Sequence, residues 1–489
     1  MWRELRIFVA LTVLLCFEGS PSLSFGKDSP HNLVENPGFE ALDDQGRLPL
    51  GWRRESPREE IAPDFGMDSG VTHSGRYAAR LTAKGMQGTL GYWAITVPGL
   101  HGSAGLTSDA PISGNTIESA EFFSNKAYRF RCYFRTQGVD SIHKSISIKA
   151  RWKDSKGQEL FGEYVSSYTQ QGEWYKAERV LIAPLLARSV DLELGLQWTP
   201  SGTVWWDDVS FEEVPTVPER KIKVATISYI PMMPSTPEKN LEFFAEKIAE
   251  AGKAGADVIC LGEEITVVAT DKNSIDVAET IPGPTSQVLG QVARKYHMYV
   301  IAGIIEREGN LIFNTALVID RQGNVLGKYR KTHLPESEVM AGVTPGNTYP
   351  VFKTDFGTIG LETCYDNFFP EVARSLALGG AEIIFLPIWG DTRANGYIWD
   401  IVARARAIDN SVFLVASNYS NTRSLIIDPD GRILADTGGT SGTAMAEIDL
   451  DARTIVRWLS FHGFGEWKYL YPAERRTDTY GPLLGSSLH

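Results

Sequence analysis

Three short segments in the second half of the chain each close an apolar run with residues that can do chemistry. In Val258-Ile259-Cys260-Leu261-Gly262-Glu263-Glu264, a strand-like run ends in carboxylates. A carboxylate emerging from a buried strand is costly unless it is paired or used, and burial raises its pKa toward that of a working base. The second segment, Gly327-Lys328-Tyr329-Arg330-Lys331-Thr332-His333-Leu334-Pro335, brings cations to a similar place. In the third, Thr358-Ile359-Gly360-Leu361-Glu362-Thr363-Cys364-Tyr365-Asp366-Asn367-Phe368-Phe369-Pro370, a strand stops at Cys364 and a helix begins around Pro370. A thiol on such a turn faces a cleft, and nearby backbone N–H groups point at a developing oxyanion. A thiol attacks well once its proton is removed, and a neighbouring cation lowers its pKa. These residue types together suit attack on an amide-like carbon, with loss of ammonia or an amine.

The elements that must position these residues alternate between strand and helix. Ile222–Ile227 reads as a buried strand; Thr236 caps a helix with Pro237 at its first position, and Leu241, Phe244 and Ile248 form its apolar stripe. Gly255 closes that helix and Asp257–Leu261 forms the next strand. A helix over Ser286–Tyr296, a strand over Tyr299–Ile305, a turn at Glu308-Gly309-Asn310 and a strand over Leu311–Ile319 follow. This alternation predicts an α/β domain from 222 to about 475.

In order and spacing, the three segments resemble the nitrilase, or carbon–nitrogen hydrolase, superfamily. Further matching runs are Gly380-Ala381-Glu382-Ile383-Ile384-Phe385-Leu386-Pro387, Arg404-Ala405-Arg406-Ala407-Ile408-Asp409-Asn410, Ala416-Ser417-Asn418 and Ile427-Asp428-Pro429-Asp430-Gly431. The resemblance implies a four-layer α-β-β-α sandwich, commonly dimerised through helices near the nucleophile. It implies Cys364 as nucleophile, Glu263 as general base and Lys331 as the cation facing the oxyanion, with the Tyr365 N–H as second donor. It also implies a second carboxylate shortly before the Pro345-Gly346 pair; Glu338 is the better candidate and Glu336 its competitor. No metal or organic cofactor is called for in catalysis. Two positions depart from the pattern: Gly262 stands where Pro is common, and Asp409 where Glu is common. Strand alternation places Glu264 on the face opposite Glu263. His333 reads as structural, Glu371 and Arg374 as a local ion pair, and Trp389 and Asp391 as either pocket lining or packing.

Residues 32–214 read as a separate all-β unit. Short alternating runs such as Ser147–Trp152 and Val190–Leu194 lie between Gly, Ser and Asp turns, which predicts a sandwich. Asn36-Pro37-Gly38-Phe39-Glu40, His73-Ser74-Gly75-Arg76-Tyr77 and Thr203-Val204-Trp205-Trp206-Asp207-Asp208-Val209 resemble the jelly-roll modules of the carbohydrate-binding, galactose-binding-like kind. That resemblance implies a structural calcium held by Glu40 and Asp208, weighed equally against a turn cap and a solvated Glu, and a glycan or cell-surface ligand for the module. Trp205 and Trp206 are expected to divide between surface and core. The Pro-rich stretch at 215–221 is the linker.

The bulk numbers agree with two globular units. The chain has 489 residues, 22% of them charged, and a net charge of −12, which leaves no basic footprint for nucleic acid. Arg3 and Arg6 before the apolar run Ile7–Phe17, then Gly19, Ser20, Ser22 and Ser24, have the layout of a signal peptide over residues 1–25 and predict a secreted or periplasmic protein. The mature chain would keep Cys132 and Cys260 as buried core thiols and Cys364 as the odd one. The expectation is an exported cysteine hydrolase acting on a small amide or N-carbamoyl compound, since Tyr365-Asp366 is closer to the amidase and carbamoylase branches than to true nitrilases, where Trp usually follows the nucleophile. Two alternatives remain at this level: N-acyl transfer from the same thioester, and a glycan-binding protein whose hydrolase half is inert.

Overall fold

The computed structural model describes residues 31–100, 116–117, 122–216, 219–390, 397–419, 423–456 and 463–484. The expected signal peptide and Asp391 lie outside the described residues.

The first unit consists of two antiparallel sheets. One has five strands in the order Arg53–Glu55, Leu90–Pro98, Ser189–Gln197, Ile146–Lys153, Glu159–Tyr164. The other has six, in the order Asp64–Asp68, Ala78–Thr82, Thr203–Val214, Phe123–Gln137, Trp174–Pro184, Tyr168–Gln171. Alternation drives the packing: Trp93, Ile148, Trp152 and Leu194 from one sheet and Leu81, Phe130, Phe134 and Trp206 from the other share one core. The adjacent Trp205 points to the outer face, where it is covered by Trp174 and donates to Asp68 (2.8 Å). It is therefore not a surface aromatic.

The second unit is α/β, as its alternation predicts, and has the four layers that the family resemblance implies. Its first sheet runs Val325–Arg330, Leu311–Ile319, Tyr299–Glu308, Val258–Cys260, Lys221–Ser228, Gly442–Asp449. Its second runs Val351–Lys353, Thr358–Leu361, Ile383–Ile388, Phe413–Asn418, Leu425–Ile427, Ile433–Asp436. Val224, Val258, Ile301 and Val318 meet Ile359, Leu361, Ile383 and Phe385 between the sheets. Helices Pro237–Lys253 and Pro284–Tyr296 cover the outside of the first sheet, and Pro370–Leu378 and Tyr397–Asn410 the outside of the second. The expected cap holds, with Thr236 accepting from the Lys239 N–H (3.3 Å).

The chain after residue 450 changes partner, which its continuity with the hydrolase half hides in the sequence. Ile455 and Phe464 enter the core of the first unit. Strand Ile455–Val456 pairs with Gly465–Glu466 and with Thr116–Ile117. Gly162 N–H donates to the Phe464 carbonyl (2.9 Å) and Phe464 N–H to that of Leu160 (3.1 Å), so this segment extends the exposed edge of the five-stranded sheet. Arg453 is buried against Glu163 (2.8 Å) and Glu466 (2.6 Å), and Tyr469 lies under the Arg179 guanidinium at 3.2 Å. The 32–214 and 222–475 boundaries therefore describe contiguous sequence, while the β-unit closes with strands from both ends of the chain.

Glu40 and Asp208 converge on the same loop as acceptors. Glu40 Oε1 accepts from the N–H groups of Arg76 (2.7 Å) and Tyr77 (3.0 Å); Asp208 engages the Ser74 hydroxyl and the His73 ring, each at 2.6 Å. These contacts tie both carboxylates to the 73–77 loop.

Candidate active site

The ends of three strands bring Glu263, Lys331 and Cys364 together. Lys331 follows strand Val325–Arg330 and is fully buried; its ammonium donates to Glu263 Oε1 (2.9 Å) and to Glu338. Asn314, on the neighbouring strand, donates to the same Glu263 oxygen (2.8 Å), while the Trp389 N–H holds Glu263 Oε2 (2.8 Å). The carboxylate of Glu263 also reaches the Cys364 thiol, as does the Trp389 N–H. Among the second carboxylates, Glu338 faces the site from the short helix Glu336–Met340, whereas Glu336 is exposed.

Glu264 does not take the opposite face. The strand ends at Cys260, and Glu264 has φ 49°, so period-two alternation no longer applies. Its carboxyl is buried, accepts from Ser274 (3.1 Å) and lies 3.4 Å from Asn314 Nδ2. Oxygens of Glu263, Glu264 and Glu338 lie within 4.8 Å of one another, and the Lys331 ammonium is the cation bonded to two of these carboxylates. Burial, with repulsion from Glu263 and Glu338, pushes Glu264 up to about 8, so at neutral pH it carries a proton. Burial raises Glu338 as well, against the pull of Lys331. Burial alone would lower Lys331, but Glu263, Cys364 and Glu338 outweigh it and hold the ammonium charged.

Two glycines permit this approach. A Cβ on Gly303 would stand 2.6 Å from Glu263 Cα. A Cβ on Gly262 would stand 2.3 Å from the Tyr419 ring, which accounts for glycine at a position where the family commonly has proline.

The thiol sits on a strained turn. Cys364 has φ 48°, unusual for a residue with a Cβ, at the start of the 3-10 turn Cys364–Phe368. Asp366 holds this geometry: its buried carboxylate accepts from Tyr329 Oη (2.7 Å), Thr332 Oγ1 (3.0 Å), His333 N (2.9 Å) and Thr363 N (3.2 Å). The segment carrying Lys331 and the turn carrying Cys364 are thus tied through one side chain. His333 adds its ring to Asp366 (3.0 Å) and stacks on Phe369, which is a structural role. The Tyr365 N–H, in the first turn, has no acceptor among the described residues and points to a place where an oxyanion could bind. Trp389 contributes through its N–H, which strand-end reasoning could not foresee because every residue type carries one. Arg374 donates to the Asp409 carbonyl (2.5 Å) rather than to Glu371, so the expected ion pair does not form.

The electrostatics of the thiol also differ from expectation. Burial and the adjacent Glu263 carboxylate push Cys364 well above an ordinary thiol, and Lys331 only partly opposes them. Lys331 is already engaged by two carboxylates, which limits how far its charge can offset the burial of the thiol.

Beneath the turn lies Glu362, which the sequence reading passed over although it interrupts an apolar strand two residues before the cysteine. It is fully buried, and among the described residues neither of its carboxyl oxygens has a hydrogen-bond partner. Burial and the charge of Asp366, opposed by Arg406, raise it from 4.5 to about 8. A carboxyl whose folded pKa lies above its unfolded value contributes stability that is complete below 4.5 and lost as pH rises through about 8. Glu362→Gln is therefore expected to remove part of that loss, on the order of a few kcal/mol, in urea unfolding at pH 8, with little gain at pH 4. An equal difference at both pH values would mean that the buried acid is not the titrating group. Glu264 adds a slope of the same sign.

Comparison with known proteins places these residues in context. The carbon–nitrogen hydrolase family model matches residues 223–457. The chain is 32% identical over 241 residues to omega-amidase NIT2 of Bos taurus, covering 46% of this chain and 87% of that protein. It is 33% identical over 266 residues to a probable nitrilase of Schizosaccharomyces pombe, covering 52% and 88%, and 32% identical over 242 residues to a deaminated glutathione amidase of Synechocystis, covering 45% and 89%. With a buried carboxylate, an ammonium and a strained thiol on three strand ends of a four-layer sandwich, this chain belongs to the carbon–nitrogen hydrolase family.

Proposed function

We propose that the protein is an exported amidase that cleaves a non-peptide carbon–nitrogen bond through a thioester on Cys364. The observation that carries this reading is the hydrogen-bonded convergence of Glu263 and Lys331 on a thiol held at positive φ. Glu263 takes the thiol proton as sulfur attacks the amide carbon, and the oxyanion forms between the Lys331 ammonium and the Tyr365 N–H. The proton passes from Glu263 to the leaving nitrogen, ammonia departs, and a thioester remains. Water then gives its proton to Glu263 and attacks the thioester carbon, releasing a carboxylic acid and restoring the thiol. Glu338 orients Lys331, and protonated Glu264 limits the negative charge that Lys331 must balance. The omega-amide and amide substrates in the relatives' names favour a primary amide over a nitrile. Export rests on Arg3 and Arg6 before the apolar run Ile7–Phe17.

A panel of primary amides, N-carbamoyl amino acids and nitriles, scored for ammonia, tests the reading. Release from at least one amide, and not from nitriles, is the expected result. Hydroxamate formed in place of acid when hydroxylamine is added would report the thioester. Neither ammonia nor a covalent adduct from any member would overturn the proposal.

A further inference from the structure

A third carboxyl group is built into the proposed reaction centre. Carboxyl oxygens of Glu263, Glu264 and Glu338 lie within 4.8 Å of one another. Lys331 bonds Glu263 Oε1 (2.9 Å) and Glu338, whereas Glu264 is held by neutral donors. Its Oε2 accepts from the Ser274 hydroxyl (3.1 Å) and its Oε1 from Asn314 Nδ2 (3.4 Å). The same amide nitrogen faces Glu263 Oε1 (2.8 Å) and Glu338 Oε2 (3.4 Å), so its two hydrogens meet three acceptors. Glu263, Glu264 and Lys331 are all buried, and three carboxylates so close together cannot all ionise beside one ammonium. Among the described residues, Glu264 is the carboxyl that Lys331 does not bond, and so the one left to hold a proton.

We propose that Glu264 is a positioning residue that holds a proton, and that its ionisation switches off the reaction centre; this rests on the amidase reading of Glu263, Lys331 and Cys364. Once Glu263 has taken the thiol proton, Lys331 is left facing Glu338 and the oxyanion. An ionised Glu264 would compete for that ammonium and put a further negative charge beside the oxyanion, raising the cost of the tetrahedral state. The amide substrate is neutral, so the penalty falls on kcat and leaves KM nearly unchanged. Burial first, and then the charges of Glu263 and Glu338, push Glu264 up to about 8, with Ser274 and Lys331 opposing them. Tyr419, the other titratable group beside Glu263 and Glu264, stays a neutral phenol because burial raises it well above its ordinary value.

The pH profile of ammonia release from a primary amide that carries no titrating group of its own tests the role. In the wild type, kcat is expected to fall about tenfold from its neutral plateau by pH 9, along a limb centred near 8, with KM nearly constant. Glu264→Gln keeps the neutral form, so it should stay active at pH 7 and lose the alkaline limb. Glu362, also raised to about 8, is the competing source of such a limb, and Glu362→Gln should leave the limb in place. Where Glu264→Gln does not fold, Ser274→Ala carries the test: loss of that donor favours the protonated acid and should move the limb to higher pH. A limb unchanged in the folded Glu264→Gln or in Ser274→Ala, a limb removed by Glu362→Gln, or a folded Glu264→Gln inactive at pH 7 would overturn the proposal. A wild type that releases no ammonia from any amide would overturn the amidase reading itself, and this role with it.

Discussion

Cys364→Ala is expected to lower amide turnover by about 10⁴-fold or more while leaving the unfolding midpoint nearly unchanged. The activity loss follows from the proposed chemistry: without sulfur there is no thioester, and neither Tyr365 N–H nor Lys331 can supply a nucleophile. The small stability effect follows from the packing. Alanine keeps a Cβ at the φ of 48° and removes one partly buried sulfur whose ionised form the site opposes. Intact mass after incubation with a slow amide should show an acyl adduct on the wild-type chain and none on the variant. An adduct retained in Cys364→Ala would place the nucleophile elsewhere.

Lys331→Met should cost both activity and stability. Lys331 is the cation bonded to both Glu263 and Glu338, inside a cluster that also contains Glu264. Removing one partner of a buried ion pair leaves uncompensated charge, which typically costs about 3–5 kcal/mol. Methionine has similar length and reach, so the loss reports charge more than volume. Adding Glu338→Gln to Lys331→Met should recover part of the stability and none of the activity. Urea unfolding of the four proteins in that double-mutant cycle measures the coupling. A loss below about 1 kcal/mol for Lys331→Met would show that the carboxylates neutralise themselves by protonation, which the high pKa of Glu264 makes the competing route.

Part of this site was legible because strand-end chemistry leaves a local signature. Glu263, Lys331 and Cys364 each follow an apolar run, and the family resemblance joined them although 68 residues separate the first pair. Asn314 and Asp366 were harder to assign, since their roles depend on which strands lie side by side. Asn314 serves Glu263 only because Leu311–Ile319 pairs with Tyr299–Glu308, which itself pairs with Val258–Cys260. Glu264 was misassigned for a related reason: alternation holds only while backbone dihedrals stay extended, and its φ of 49° breaks the rule one residue past the base.

By itself, the sequence determined the alternation of strand and helix, the division into a β-unit and an α/β unit, and the three chemical residues. These are local or periodic properties, set by hydrophobic spacing, caps and turns. Only the tertiary structure decided that Glu264 joins the carboxylate cluster, that burial and Glu263 raise the Cys364 thiol, and that Ile455, Val456 and Phe464 join the β-unit. Those outcomes depend on desolvation and on charges brought together from distant segments. The pKa of Cys364 is the clearest case, because a cation nearby in sequence order says nothing about the two carboxylates that already hold it.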